Sequence, residues 1–320
     1  MADAPRVSVV VPARDEAAHI DACVRSILAQ KVEGGLEVLV VDGRSVDDTA
    51  AIARAAGARV VDNPEQVIPA ALNRGVAAAR APIVVRFDAH SEMPGGYVAA
   101  CLAALGEEDG AGNVGGWCDP IGRRPWGRAL GAVLASPLGV GNARLWRRPP
   151  QGSGRRDVET VPFGCFRKEL LEEVGGWRED LLVNEDFELN HRIRQSGRRV
   201  VFDPAIWSIY RPRESLAAVA RQYWRYGNWK AVMLAQNPES LRARQLAPVG
   251  LVGAVCGAVL PGRLGRAARA ALAAYALLVG GFAVRSDAGW RAAAVLVTVH
   301  GTWGAGLLRG LAVGGRRRAL

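Results

Sequence analysis

Short apolar segments alternate with segments of helical periodicity over the first 87 residues, and this alternation is the strongest constraint on the fold. The apolar segments are residues 7–11, 37–41, 59–61 and 83–87. Strands that alternate with helices form βαβ units, whose strands pair in parallel within one sheet. We therefore predict an α/β domain built on a central, mostly parallel sheet.

Polar side chains follow three of these four predicted strands. They are Arg14, Asp15 and Glu16 after the first strand, Asp42, Asp47 and Asp48 after the second, and Asp88 and His90 after the fourth. Ligands of such sheets bind at the carboxyl ends of the strands, so these side chains are candidates for a binding site. No Gly-x-Gly-x-x-Gly motif follows the first strand, which disfavours a dinucleotide-binding fold.

Two of these groups allow a functional and a structural interpretation. Asp88 and His90 are two residues apart, so both can point the same way from an extended chain and hold a cation, or serve only structure. Asp42, Asp47 and Asp48 can bind a nucleoside or cap the helix that follows, and for Asp47 capping alone is an alternative.

An acidic stretch at residues 182–190 places Glu185 and Asp186 at the start of a helix that ends at Gly197. The helix dipole favours negative charge at this end. Asp186 is therefore either an acidic helix cap or a general base at the edge of a pocket.

The chain is strongly basic, with a formal net charge of +10, and eight arginines crowd residues 120–158. They are Arg123, Arg124, Arg128, Arg144, Arg147, Arg148, Arg155 and Arg156. We interpret this segment as a mobile loop or as a basic flap that binds phosphate. No zinc spacing, aromatic RNA motif or basic heptad helix is present, so nucleic acid is not an expected partner.

The C-terminal third changes character. A helix with a broad aromatic face begins near Ser215, and apolar runs follow at residues 246–260, 267–284 and 292–308. Each run is close to the ~20 residues that a bilayer requires, so we predict membrane insertion, with a soluble helical hairpin as the alternative. We expect the first run to be re-entrant or to lie on the surface, because the Arg316–Arg318 tail should remain inside.

The predicted domains are therefore residues 1–212 (catalytic), 213–243 (amphipathic interface helix) and 244–320 (hydrophobic membrane region). The five cysteines are scattered and no signal peptide precedes the first strand, which favours a cytosolic catalytic domain. Sugar transfer from a nucleoside diphosphate requires a carboxylate that removes the acceptor proton, groups that hold a cation, and a pocket for the nucleoside. The sequence offers candidates for each.

Four motifs in the same order resemble those of family 2 glycosyltransferases, which have the GT-A fold. They are residues 7–16, 40–49, 88–90 and 184–186. Residues 136–144, residues 161–167 and the apolar tail are similar to the ExoA group of succinoglycan biosynthesis proteins within that family. The resemblance implies a GT-A nucleotide-sugar-binding domain followed by a helical membrane region, and an inverting single displacement.

The resemblance also implies roles for individual residues. Pro12, Ala13, Arg14, Glu16, Asp42 and Asp88 would bind the donor, Asp88 and His90 would hold Mn²⁺ or Mg²⁺, Asp186 would be the base, and Glu185, Gln222, Trp224 and Arg225 would contact the acceptor or the diphosphate. The chain departs from the family pattern at three positions. Gly43 and His90 stand where many relatives have Asp, and Tyr226 stands where processive relatives have Trp.

The implied partners are a nucleotide-sugar donor, a lipid-linked saccharide acceptor and the cytoplasmic membrane, with other polysaccharide-assembly proteins as candidates. Two alternatives remain: a transferase for a soluble or protein acceptor, and a non-catalytic scaffold of a membrane synthase. A sugar nucleotidyltransferase is disfavoured, because no Gly-rich phosphate loop follows the first strand.

Overall fold

The computed structural model describes residues 4–140, 143–181, 184–236, 238 and 241–314. Leu182 and Val183 of the acidic stretch and the Arg316–Arg318 tail lie outside these residues. The chain divides into two compact units. The first unit is Met1–Asp119 with Arg147–Tyr210, and the second unit is Pro120–Trp146 with Arg211–Leu320. The predicted boundaries at residues 212 and 243 stay predictions.

The first unit contains one mixed sheet with helices. Its described strands are β1 (Val7–Ala13), β2 (Leu36–Asp42), β3 (Arg59–Asp62), β4 (Ile83–Arg86), β5 (Ser91–Glu92), β6 (Ala111–Pro120), β7 (Arg156–Asp157), β8 (Cys165–Arg167) and β9 (Arg199–Tyr210). Its described helices are α1 (Ile20–Leu28), α2 (Thr49–Ala55), α3 (Ile68–Ala78), α4 (Tyr97–Glu107), α6 (Lys168–Glu173) and α7 (Glu185–Gln195). The strand order is β3-β2-β1-β4-β8-β6-β9-β5, with β7 paired to β9.

The predicted α/β order is confirmed. Strands β1 to β4 pair in parallel, and β8 joins them antiparallel to β4. Strand β1 lies in the centre, where Val7, Val9 and Val11 are fully buried because neighbouring strands and helices cover it. In register, Ala13 pairs with Asp42, and Val10 pairs with Arg86. The carboxyl ends of β1, β2 and β4 therefore meet at one edge of the sheet.

The second unit is helical in the described residues. It contains α5 (Pro125–Leu134), a 3₁₀ helix (Ala143–Trp146), α8 (Leu216–Gln236), a 3₁₀ helix (Ala243–Gln245), α9 (Leu246–Gly257), α10 (Gly262–Arg285) and α11 (Trp290–Ala312). Part of the segment interpreted as a mobile loop is thus the helix α5, and that interpretation was wrong there. Proline suits the first position of a helix, and the Glu214 carboxylate accepts the backbone N–H groups of Arg123 and Arg124 at 2.7 and 2.9 Å. The fixed φ of Pro125 and the two satisfied backbone N–H groups together explain why α5 begins at this residue.

One of the three apolar runs forms a helix that is long and apolar enough to cross a membrane, among the residues that the structure describes. It is α10, and only 6% of its most apolar stretch is buried within the protein. Helix α9 has 12 residues and is too short, while α11 buries Ala292, Val295 and Leu296 completely. The prediction of several membrane-inserted runs is therefore reduced to one candidate span, judged by length and composition.

Candidate active site

Arg86, the last residue of β4, gathers three carboxylates at the carboxyl edge of the sheet. Its Nη2 lies 3.3 Å from Asp88 Oδ1 and 3.5 Å from Glu185 Oε1. Its Nη1 forms an ion pair with Asp186 Oδ1. Asp88 and Asp186, which are distant in sequence, are thus joined through one guanidinium.

Asp186 has a second fixed contact. The indole N–H of Trp177 donates a hydrogen bond to the same oxygen, Oδ1, at 3.2 Å. Trp177 is itself held by Asn73, whose Oδ1 accepts the Trp177 backbone N–H and whose Nδ2 donates to the Trp177 carbonyl, both at 2.8 Å. The Asp186 side chain remains 27% exposed, so a substrate can reach it.

The start of α7 places Glu185 and Asp186 side by side. Asn184 adopts a left-handed backbone conformation, with φ of 64°, immediately before the helix begins. Glu185 is buried, and this burial raises the pKa of its carboxyl while the charge of Arg86 opposes the rise. Its predicted contact with acceptor or diphosphate stays a prediction, since the structure pairs it with Arg86.

A second cluster joins Glu16 with two histidines. Glu16 Oε2 lies 3.1 Å from His19 Nδ1, and Glu16 Oε1 lies 3.4 Å from His90 Nδ1. The His90 ring also packs edge-on against Tyr210, with ring centroids 5.2 Å apart. Because Nδ1 of His90 faces Glu16, the predicted cation contact of this ring would be made through Nε2.

The cation site at Asp88 and His90 stays a prediction, since the structure pairs Asp88 with Arg86 and His90 with Glu16. Within the described ranges, no group of three or more His, Cys, Asp or Glu side chains is arranged to hold a metal ion. Mg²⁺ in nucleotide-dependent enzymes commonly takes one or two protein ligands and completes its shell with phosphate oxygens and water. Asp88 and His90 would supply the protein ligands.

The loops after β1 and β2 hold each other. Asp15 N–H donates to Ser45 Oγ at 3.0 Å, and Val46 N–H donates to Asp15 Oδ1 at 2.9 Å. Asp42 is 9% exposed, and its carboxylate accepts from the N–H of Ser45 at 3.2 Å and from its Oγ at 2.5 Å. Asp42 therefore shapes the loop whether or not it also contacts a nucleoside, and its binding role stays a prediction.

The remaining predicted donor residues lie on the same pair of loops. Pro12 and Ala13 end β1, and the Ala13 carbonyl accepts the Gly43 N–H at 2.8 Å. Arg14 projects outward with a half-exposed side chain. Asp47 accepts hydrogen bonds from the backbone N–H groups of Ala17 and Thr49 at 3.1 and 3.0 Å, so it joins the loop after β1 to the first residue of α2.

The predicted acceptor residues of the C-terminal region lie on α8, in the second unit. Gln222 Nε2 donates to the hydroxyl of Tyr226 at 2.9 Å. Trp224 is 40% exposed, and Arg225 is exposed. Their acceptor or diphosphate role stays a prediction.

Arg86 and Trp177 are not among the site residues predicted from the sequence. A signal for Arg86 exists, since it is a charged residue between the apolar residues Val85 and Phe87 of a buried segment. Burial of a guanidinium requires acidic partners, so such an arginine indicates carboxylates nearby. Trp177 follows a Gly175-Gly176 turn and gives no comparable signal.

The mixed sheet with its covering helices is that of the GT-A fold. The model of the family Glycosyl transferase family 2 matches residues 8–170, and the chain belongs to this family and is a glycosyltransferase.

Two relatives and one solved structure show the extent of the similarity. The chain is 28% identical over 316 residues to the succinoglycan biosynthesis protein ExoA of Rhizobium meliloti (strain 1021), covering 95% of this chain and 94% of that protein. It is 36% identical over 198 residues to an uncharacterized glycosyltransferase of Mycobacterium tuberculosis (strain ATCC 25618 / H37Rv), covering 61% and 82%. A mannosyltransferase from Pyrobaculum calidifontis, in complex with GDP-Man and Mn²⁺, superposes with a TM-score of 0.63 at 21% identity, covering 97% and 88%. The predicted fold is confirmed.

Proposed function

We propose that this glycosyltransferase moves a sugar from a nucleoside-diphosphate sugar to a lipid-linked saccharide, at the cytoplasmic face of the membrane, in polysaccharide biosynthesis. The observation that carries the reaction is the partly exposed Asp186 carboxylate, fixed by Arg86 and Trp177 beside Asp88 at the carboxyl edge of the sheet. The name of the ExoA relative supports the polysaccharide product.

The proposed chemistry is an inverting single displacement. Asp186 accepts the proton of the acceptor hydroxyl while the hydroxyl oxygen forms a bond to the anomeric carbon of the sugar. The bond between that carbon and the diphosphate oxygen breaks, and the nucleoside diphosphate leaves with the electron pair. A divalent cation held by Asp88 and His90 would take up the charge that develops on the leaving diphosphate. The loops that contain Arg14, Glu16 and Asp42 would bind the donor.

The lipid-linked acceptor is supported by the second unit. Helix α10 leaves an apolar surface almost entirely uncovered, which is costly in water and favourable in a bilayer. A chain anchored in this way meets acceptors that are confined to the membrane. The arginines at 263, 266 and 269 near the start of α10 suit the anionic surface of the cytoplasmic leaflet.

The function is tested with membranes from cells that express the full chain. These membranes are incubated with a panel of radiolabelled nucleotide sugars and a lipid extract as acceptor. We expect one donor to transfer label into material that partitions into organic solvent, because the proposed product retains its lipid. We also expect the chain to sediment with the membranes and to require detergent for release.

Membranes without the chain provide the background. Label that appears only in water-soluble or protein products would replace the lipid acceptor with the soluble one. Absence of transfer with every donor would favour the non-catalytic scaffold. A chain that is monodisperse in buffer without detergent would contradict the membrane assignment.

Removal of divalent cations is expected to abolish transfer, since the two proposed protein ligands can hold a cation that the leaving diphosphate requires. The measurement is the initial rate in EDTA, followed by titration with Mn²⁺ or Mg²⁺, either of which should restore activity. EDTA added together with excess Mn²⁺ controls for effects of the chelator itself. Full activity in EDTA alone would refute the cation role of Asp88 and His90.

A further inference from the structure

Arg86 is too deeply buried to bind a substrate. It is 5% exposed and lies between Val85 and Phe87, both fully buried. Burial of a guanidinium costs several kcal/mol unless acidic groups compensate, and breaking such a pair is strongly destabilising. Asp88, Glu185 and Asp186 supply that compensation.

The planar guanidinium reaches carboxylates on two elements at once. Nη2 faces Asp88, just beyond β4, and Glu185, at the start of α7, while Nη1 faces Asp186. A lysine ammonium is a single point charge and cannot span these positions in the same geometry. The backbone N–H of Arg86 is fixed as well, by the Gly164 carbonyl at 3.0 Å.

We infer that Arg86 is a positioning residue that, together with Trp177, orients the Asp186 carboxylate toward the acceptor hydroxyl. Both side chains contact Oδ1 of Asp186, so the carboxylate cannot rotate freely and Oδ2 is the oxygen presented to the acceptor. This inference rests on the proposed function, because it takes Asp186 as the base. A displacement of about 1 Å at a reacting group lowers the rate by roughly 10²-fold.

A purely structural role makes a different prediction. If Arg86 only ties β4 to α7, its replacement lowers thermal stability and leaves the turnover of the folded fraction intact. A positioning role lowers kcat in folded protein. Arg86 also pairs with Asp88, a proposed donor and cation ligand, so a loss that acts through Asp88 instead of Asp186 would raise KM for the nucleotide sugar.

The test is Arg86→Lys in the full chain, purified in detergent. This change keeps the positive charge and loses the two-ended contact. We expect kcat to fall about 10²-fold. Donor KM, and donor affinity measured by calorimetry, should each stay within about threefold of the parent values. This pattern is the one expected when the lost interaction is made only in the transition state. The control is Arg199→Lys, because Arg199 pairs with Asp157 at 2.7 Å and Glu108 at 3.2 Å, outside the carboxylate cluster. The control should keep its kcat.

The second variant combines Arg86→Gln with Glu185→Gln, and it serves if the lysine variant does not fold. It removes one positive and one negative charge together, so the net charge of the site is unchanged. We expect the same loss of kcat. A kcat within threefold of the parent, in either folded variant, would overturn the inference. A tenfold rise in donor KM with unchanged kcat would also overturn it. Asp186→Asn separates the two hypotheses, since normal kcat in that variant removes the proposed base itself.

Discussion

Replacing Asp186 with asparagine is expected to lower kcat by roughly 10²–10⁴-fold, the usual contribution of a general base. The amide oxygen can still accept hydrogen bonds from Trp177 and Arg86, so the local geometry is retained. The amide cannot take the proton of the acceptor hydroxyl, so the nucleophile is not activated. Initial rates at saturating donor and acceptor measure the loss, and donor affinity should stay within a few-fold of the parent.

The matched control is Asp21→Asn on helix α1. Asp21 is an exposed carboxylate that pairs with Arg25 at 2.8 Å, so the same chemical change is made away from the carboxylate cluster. We expect its kcat to equal that of the parent. A folded Asp186→Asn protein that retains parental kcat would remove Asp186 as the base.

Replacing Gly116 with alanine is expected to destabilise the first unit by about 3 kcal/mol, at the upper end of the range for an overpacked core. A methyl group on Gly116 would overlap the Ile206 carbonyl oxygen, and would lie 2.6 Å from its carbonyl carbon and 2.8 Å from the Asp203 carbonyl oxygen. These are backbone atoms of the neighbouring strand β9, which cannot turn aside as a side chain can. The midpoint of denaturant unfolding of the full chain in detergent measures the effect.

Gly106→Ala is the control for this substitution. Gly106 lies in helix α4 with no neighbouring atom within 4 Å of the added methyl group. Alanine in a helix interior is favoured over glycine by roughly 0.5–1 kcal/mol, so this variant should be as stable as the parent or more so. Equal unfolding midpoints for the two variants would contradict the packing argument.

The strands that could be predicted from the sequence are those composed mostly of apolar residues. Strands β1, β2 and β4 are buried on both faces, so valine, leucine and isoleucine dominate their sequences. The described bounds of these strands differ from the predicted ones by at most two residues at either end.

The missed elements have a different composition. Strand β6 contains Gly112, Gly115 and Gly116, which give no apolar run, and the strand forms because glycine permits the close approach of β9. Strand β9 is missed only in part, because residues 199–202 predict a strand but the observed strand continues past Pro204, a residue that usually ends a predicted strand. Helix α5 contains glycines that give its sequence the appearance of a loop, although Leu130, Val133 and Leu134 are buried.

The site could be predicted only where a short motif carries it. Asp88 and Asp186 stand in recognisable local patterns, and the structure brings them to the same guanidinium. The contacts of Arg86 with α7 join residues that are about a hundred positions apart, and a single sequence contains no record of that pairing. Trp177 lies nine positions before Asp186, and no local pattern in the sequence marks their contact.

The interlocked loops after β1 and β2 have a consequence for how specificity can change. Ser45 Oγ accepts the backbone N–H of Asp15, and Asp15 Oδ1 accepts the backbone N–H of Val46, so each loop depends on the other for its conformation. Within the second loop, the Ser45 N–H donates to the Asp42 carboxylate. A substitution at Asp15 or Ser45 releases an amide group in the opposite loop. In the proposed donor site, a change of sugar nucleotide therefore requires coordinated replacements in both loops.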